Sequence, residues 1–369
     1  MWFLSTDTLL LLTVFSLLTA LLRKMGVPPF FLPLAGAAVL TVISPALAAF
    51  SVVYALIVWL LTAALFRAAR FAKLLMGLFC LLAVSPLFAA RLLTLPFALI
   101  GFAFTMLKAL DALYYVYYGK EKVKPAVLFG YLLFLPVFTA GPVFRYRDFL
   151  HGYENPAPLT AEVLRESILR SVRGMFKKVV LVSLATQLFT HLRGLEGRWF
   201  LSLGLTVLSY AILYLDLSGY SDMAIAYSAV CGFSAPENFK KPWLAPTCTQ
   251  FWRSWHASVS DFIREHIYVV VSKKKLTPFH SGLIGFSVMV MMALWHDFNL
   301  IYLIAGCYNG ILLMLENFVG KTTVRRKTTP TPVFFLRCTA VNFLFALNTL
   351  VFTLPPDGIL PVLRGFLRW

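Results

Sequence analysis

Two histidines dominate the reactive inventory of this chain. His256 closes the run Phe251-Trp252-Arg253-Ser254-Trp255-His256, and His296 closes Leu294-Trp295-His296. Imidazole is the one side chain whose ordinary pKa puts proton exchange near neutrality. His296 lies some fifteen residues into an apolar run that starts from a basic loop, which on a helix is roughly 20 Å of depth. A neutral imidazole there can take a proton from a hydroxyl as a general base. A core histidine hydrogen-bonded to a neighbouring helix would occupy the same place in the sequence. Trp252 and His256, four residues apart, would share one face of a helix, whereas Trp255 and His256 would point about 100° apart. The competing account of this run is an interfacial aromatic belt with a snorkelling arginine.

Other polar groups gather between the start of this region and the second histidine. Asp216 and Asp222 bracket Ser218-Gly219-Tyr220-Ser221, and Pro236-Glu237-Asn238-Phe239-Lys240-Lys241-Pro242-Trp243 follows. Two carboxylates beside hydroxyls and a glycine read as a polar bend between two spans. His151, His266 and His280 fall in basic, wet stretches and receive no chemistry. The five cysteines show no C-x-x-C spacing, so neither a zinc site nor a disulfide framework is indicated. The patterns of zinc metalloproteases, α/β-hydrolases and phosphate-binding loops do not occur, so those reactions have no support.

The elements that must position these groups are membrane helices. Of 369 residues, 60% are hydrophobic and 13% charged, with mean hydropathy +0.79. Soluble domains are about 45–50% apolar and about 25% charged. The excess runs along the whole length, which implies an all-α polytopic integral membrane protein. A net charge of +17 would suggest nucleic acid in a soluble protein. Here the basic residues fall in short loops between apolar runs, so they follow the positive-inside rule and no nucleic-acid partner is expected.

Expected spans are Trp2–Leu22, read as a retained first span, then Phe30–Ser44 and Ala46–Phe66, hinged at Ser44-Pro45. Leu74–Ala90 and Leu92–Leu107 repeat that arrangement, with Arg91 as an exception to the charge pattern. Ala126–Ala140 has basic residues at both ends and reads either as a re-entrant segment or as one ordinary span. Thr160–Lys178 reads as a basic amphipathic helix in the cytoplasmic interface, capped by Thr160. Val179–His191, Trp199–Leu215, Ser281–Trp295, Leu300–Phe318 and Val333–Leu354 complete the set, with Lys273-Lys274-Lys275 in a cytoplasmic loop. The total is about nine to twelve membrane segments, taken as one domain, 1–369.

Several ordered stretches together resemble the membrane-bound O-acyltransferase family. Leu135-Pro136 through Gly141-Pro142-Val143-Phe144-Arg145, Gly174-Met175-Phe176-Lys177-Lys178, Asp216–Asp222, Pro236–Trp243 and Phe251–His256 appear in the family's order. The resemblance covers most of the chain from Gly101 onward, with the motifs inside 101–320 and a less typical 1–100. It implies a ring of helices around a central funnel, with His296 as the family histidine and His256 as the second histidine of the bacterial branch. Both would be catalytic. Trp252, Arg253, Trp255, Trp295, Asp222, Tyr220 and Asn238 would line the chamber.

The implied reaction moves a short acyl group from a thioester to a hydroxyl of an exported polysaccharide or cell-wall polymer, with acetyl transfer favoured and D-alanyl transfer to teichoic acid from a carrier protein as the alternative. No resident cofactor or metal is implied. The thioester, acyl-CoA or an acyl carrier protein on the cytoplasmic side, is a co-substrate. Membrane lipid, the polymer acceptor and a periplasmic or extracellular acyl-transfer protein are the implied partners, in a bacterial inner membrane. Asp297 departs from the glycine usual after the family histidine, and capping of the helix from Leu300 is the role expected for it. A transporter or polymer-export channel without chemistry is the alternative class, since intramembrane histidines and aspartates also serve proton relays. The absence of an inverted repeat counts against it.

Overall fold

The computed structural model describes residues 6–68, 70–92, 101–195, 198–268 and 277–368. The Lys273–Lys275 loop and the early part of the expected Leu92–Leu107 span lie outside them. Among the described residues there is no strand, only an isolated antiparallel bridge between Phe239 and Trp255. The helices are α1 (Thr6–Lys24), α2 (Leu32–Ile43), α3 (Pro45–Arg67), α4 (Ala72–Leu92), α5 (Phe102–Gly119), α6 (Pro125–Leu132), α7 (Tyr146–Glu154) and α8 (Ala161–Met175). They continue as α9 (Val182–Arg193), α10 (Trp199–Val230), α11 (Cys248–Ser254), α12 (Ala257–Ile263), α13 (Pro278–His296), α14 (Leu300–Val319), α15 (Thr331–Thr353) and α16 (Pro356–Gly365).

Six described helices, α3, α4, α10, α13, α14 and α15, are long and apolar enough to cross a membrane. The expected total of about nine to twelve included Phe30–Ser44 and Val179–His191, which fold into helices of only 12 residues each. The chain forms two compact units, 1–172 with 221–236 and 173–220 with 237–369.

In the first unit the Ser44-Pro45 hinge is present. Ser44 is extended, its hydroxyl accepts from the Leu47 amide, and proline opens α3 where no amide donor is needed. Helix α6 has eight residues, about 12 Å, too short for a crossing. It is followed by a 3₁₀ turn at Leu135–Val137, and everything from Tyr131 to Phe138 is buried. That is the geometry of the re-entrant reading: irregular backbone surrounded by protein. Lys108, fully buried, donates to the Tyr131 carbonyl at 3.1 Å, near the C-terminal end of α6 where carbonyls lack helical partners.

The expected bend at Asp216–Asp222 is not a bend. Helix α10 runs through it without interruption for 32 residues. Each carboxylate has a basic partner. In the first unit Arg170 Nε meets Asp222 at 3.0 Å. In the second, Lys178 pairs with Asp216, the lysine side chain being 1% exposed. Gly219 serves approach, not turning: a Cβ there would lie 2.7 Å from the Gly174 carbonyl oxygen. The polar residues that looked like loop chemistry therefore lie on a contact face of this helix.

Helices α8 and α9 are joined by a π-helical stretch, Phe176–Leu181, so the amphipathic segment and the expected span after it run on as helix. The basic residues Arg170 and Lys178 are used for these ion pairs, while Ile168, Val172, Phe176 and Val179 are exposed. In the second unit α13 and α14 pack most closely. A Cβ at Gly306 would sit 2.8 Å from the Ala293 Cβ, and one at Gly310 would sit 2.6 Å from the Phe286 ring. Glycines four apart let helix backbones touch.

Asp216→Asn removes the charge that compensates Lys178. A buried ion left alone costs roughly 3–5 kcal/mol, so the unfolding midpoint in detergent should fall clearly. The double variant Asp216→Leu with Lys178→Met should recover most of the loss.

Candidate active site

The site is built on the ends of α11 and α12. Thr247 caps α11 through its hydroxyl, which accepts from the Gln250 amide. Glu316, from α14, accepts from the Cys248 and Thr249 amides at 2.5 and 2.8 Å and from the Thr249 hydroxyl at 2.9 Å. A carboxylate on exposed helix amides satisfies both orphan donors and the helix dipole. Gln250 adds two bonds to the backbone of Val324, at 3.1 and 2.9 Å. The helix that carries Trp252 and Arg253 is thus pinned at its start.

It stops one turn later. Trp255 is extended, and His256 takes a left-handed backbone at φ 47°. Trp252 and His256 consequently do not share a helix face, contrary to the sequence expectation. A non-glycine residue in this region costs of order 1 kcal/mol, which its surroundings must supply. They do so by pairing with the Pro236–Trp243 segment: Lys240 N donates to Ser254 O at 2.9 Å, and Ala257 N to Asn238 O at 2.8 Å. Trp255 is buried between Phe251, stacked at 5.7 Å, and Phe345 at 4.7 Å, with Tyr210, Tyr214 and Phe239 around it. It is a packing anchor.

His256 is half-buried, its ring 5.2 Å from Phe239, and its Nδ1 lies 3.3 Å from the Asn238 amide nitrogen. The Ser258 hydroxyl donates to the Asn238 carbonyl oxygen at 2.8 Å. Burial pushes the His256 pKa down to about 3, and neighbouring His296 adds to the effect. The ring faces a cavity of about 370 Å³. Trp252, Val259, Val288, Met289 and Leu313 make most of its wall apolar, and Arg253 and Arg264 supply its charges. No carboxylate occurs among the described residues that line it.

His296 is the last residue of α13 and is exposed. It stacks on Tyr302 at 6.2 Å and meets the edge of Phe352 at 5.4 Å. It is not part of the lining of the 370 Å³ cavity, nor is Trp295. The next residue, Asp297, accepts from the Phe298 amide at 3.0 Å and from the Asn299 side-chain amide at 2.7 Å. The cap of α14 is Asn299, whose carbonyl oxygen accepts from the Tyr302 amide at 3.0 Å. Asp297 therefore orients the cap and does not form it, a correction to the sequence expectation.

Of the other expected lining residues, Trp252, Arg253 and Trp255 border the cavity, and buried Asn238 stands behind His256. Tyr220 is buried in α10 and is not in that lining, while Asp222 belongs to the first unit beside Arg170. Among the described residues no group of three His, Cys, Asp or Glu could hold a metal ion. Glu316, Ser258, Arg264 and Met289 were not singled out from the sequence. Only Glu316 carried a signal, as a lone carboxylate in an apolar helix.

The model of the MBOAT, membrane-bound O-acyltransferase, family matches residues 118–353. The chain belongs to this family. It is 32% identical to a "Probable alginate O-acetylase AlgI" of Pseudomonas putida over 237 residues, 63% of this chain and 48% of that protein. It is 28% identical to a "Teichoic acid D-alanyltransferase" of Bacillus subtilis over 222 residues, 57% of this chain and 56% of that protein. A "Peptidoglycan O-acetyltransferase" of Helicobacter pylori is 27% identical over 204 residues, 52% of this chain and 37% of that protein. The chain spans about half the length of the curated relatives it matches, or less. As an MBOAT protein it is a polytopic membrane protein, and the matched region contains both histidines, Asn238 and Glu316.

Glu316→Gln should leave the fold intact but weaken the charge-assisted bonds at the start of α11. The amides of Cys248 and Thr249 should exchange hydrogen faster by about 10-fold or more, the equivalent of roughly 1.5–3 kcal/mol for such bonds. In a ring-nitrogen NMR titration, His256 should stay neutral from about pH 5 to 8, where an ordinary histidine changes charge.

Proposed function

We propose that this MBOAT protein is an O-acyltransferase that moves an acetyl group from a thioester to a hydroxyl of an exported polysaccharide or cell-wall polymer. The observation that carries this reading is His256 on the wall of an apolar cavity, within electrostatic reach of His296, inside the family-matched region. His296 takes the proton of the acceptor hydroxyl. The hydroxyl oxygen attacks the thioester carbonyl carbon, the C–S bond breaks, and the departing sulfur receives the proton from His296. The products are an ester and a thiol.

The cavity supports acetyl over D-alanyl. A D-alanyl group carries an ammonium, and the charged groups on the described lining are two arginines with no carboxylate among them. Arg253 suits an anionic donor such as acyl-CoA or a phosphopantetheine-bearing carrier protein, whereas Arg264 is already paired with Asp261 at 3.0 Å. D-alanyl transfer from a carrier is the second reading, favoured only by the similarity to the D-alanyltransferase. The donor would enter from the cytoplasmic side of a bacterial inner membrane, with a periplasmic or extracellular protein completing delivery to the polymer. Residues 1–369 would act as one transferase domain, since the chain passes between its two units three times.

Replacing His296 with Ala should abolish acylation of surface polymer while the protein remains folded and inserted. Mass analysis of polymer from a deletion strain carrying the variant reads this directly. Full acylation by that variant would end the assignment of His296 as base, and a D-alanyl mass increment in wild type would select the second reading.

A further inference from the structure

The bonds behind His256 assign roles to its two nitrogens. The Ser258 hydroxyl donates to Asn238 Oδ1 at 2.8 Å, and the Asn238 amide nitrogen lies 3.3 Å from His256 Nδ1. An amide nitrogen only donates, so Nδ1 must present its lone pair, and a neutral imidazole then carries its single proton on Nε2. Asn238 is 1% exposed and Ser258 4%, so water competes poorly for these bonds. The backbone holds the three residues together as well, through the 2.8 Å bond from Ala257 N to Asn238 O beside the left-handed His256.

We propose that Asn238, held by Ser258, fixes His256 as the tautomer protonated on Nε2, so that His256 donates a hydrogen bond at the acyl-transfer site and is not a second base. Asn238 is a positioning residue, acting through His256. This rests on the reading of the site as an acyl-transfer centre. In that reaction the thioester carbonyl oxygen gains negative charge as the acceptor oxygen attacks, and a fixed N–H aimed at it stabilises that charge without reorganisation. His296, having taken the hydroxyl proton, is cationic at that moment. A neutral donor beside it adds no repulsion, whereas a second base that became protonated would. The two histidines therefore divide the work: one moves the proton, the other holds the oxygen.

The experiment is ring ¹⁵N NMR of the full chain in lipid nanodiscs at neutral pH, with labelled histidine and His256→Gln used to identify the signals. The expected result is a neutral His256 with Nε2 protonated and Nδ1 bare. A wild-type ring protonated on Nδ1 overturns the proposal. Asn238→Asp keeps the side chain's size but replaces the donor with an acceptor. It should put a proton on Nδ1 and lower kcat on the order of 10²-fold, the usual loss for an oxyanion donor, with KM for the donor thioester little changed. An unchanged tautomer in this variant also overturns the proposal. Should Asn238→Asp fail to fold, Ser258→Ala serves instead: it frees the amide to flip and should give a mixture of tautomers, and a single unchanged tautomer counts against the proposal. If the wild-type tautomer is as expected yet His256→Gln turns over at the full rate, the assignment of the site to acyl transfer fails while the positioning by Asn238 stands.

Discussion

A histidine held in a left-handed backbone inside a membrane protein depends on its neighbours satisfying every polar group around it. His256 has that conformation because the segment through Asn238 and Lys240 pairs with Ser254 and Ala257 on either side of it. Remove the pairing and the helices on both sides have no reason to stop where they do. The ring would lose its place on the cavity wall, and Asn238 would lose its partner. The buried Trp255 cluster and the Glu316 cap act from outside this bracket to keep it from sliding.

Three charges among the described residues are met by long-range partners. Lys178 answers Asp216, Arg170 answers Asp222, and Glu316 answers the open amides of α11. In an apolar setting an uncompensated charge or donor is expensive, so most charges near the helices are scaffold and not chemistry. Arg253 and Arg264 lie on the cavity, Arg264 paired with Asp261 at 3.0 Å, and His296 is exposed at the end of its helix. Depth is solved by close packing: glycines at 306 and 310 bring α14 against α13. That contact sets the wall opposite Trp252 and carries Glu316 to the start of α11.

Much of this could be read from residue order alone. Apolar runs of sufficient length, with basic loops between them, determined a polytopic helical membrane protein, because a backbone in lipid must satisfy its own hydrogen bonds. The ordered motifs from Leu135 to His256 determined the family. The Ser44-Pro45 hinge followed from proline chemistry, whereas basic residues at both ends of the Ala126–Ala140 run left a re-entrant segment and an ordinary span both open. The two histidines stood out because imidazole is rare and reactive in such a setting.

What residue order could not decide was which polar residues face one another. Asp216–Asp222 has the composition of a bend and the structure of a helix interior, because Arg170 and Lys178, distant in sequence, neutralise it. Trp252 and His256 have helical spacing, yet the helix ends between them because a partner segment supplies better bonds. Asp297 looked like a cap and instead orients Asn299. Asn238, 18 residues from His256, reaches its Nδ1 only through the fold. Local composition reports what a residue can do; long-range partners, fixed by packing, decide which of those things it does.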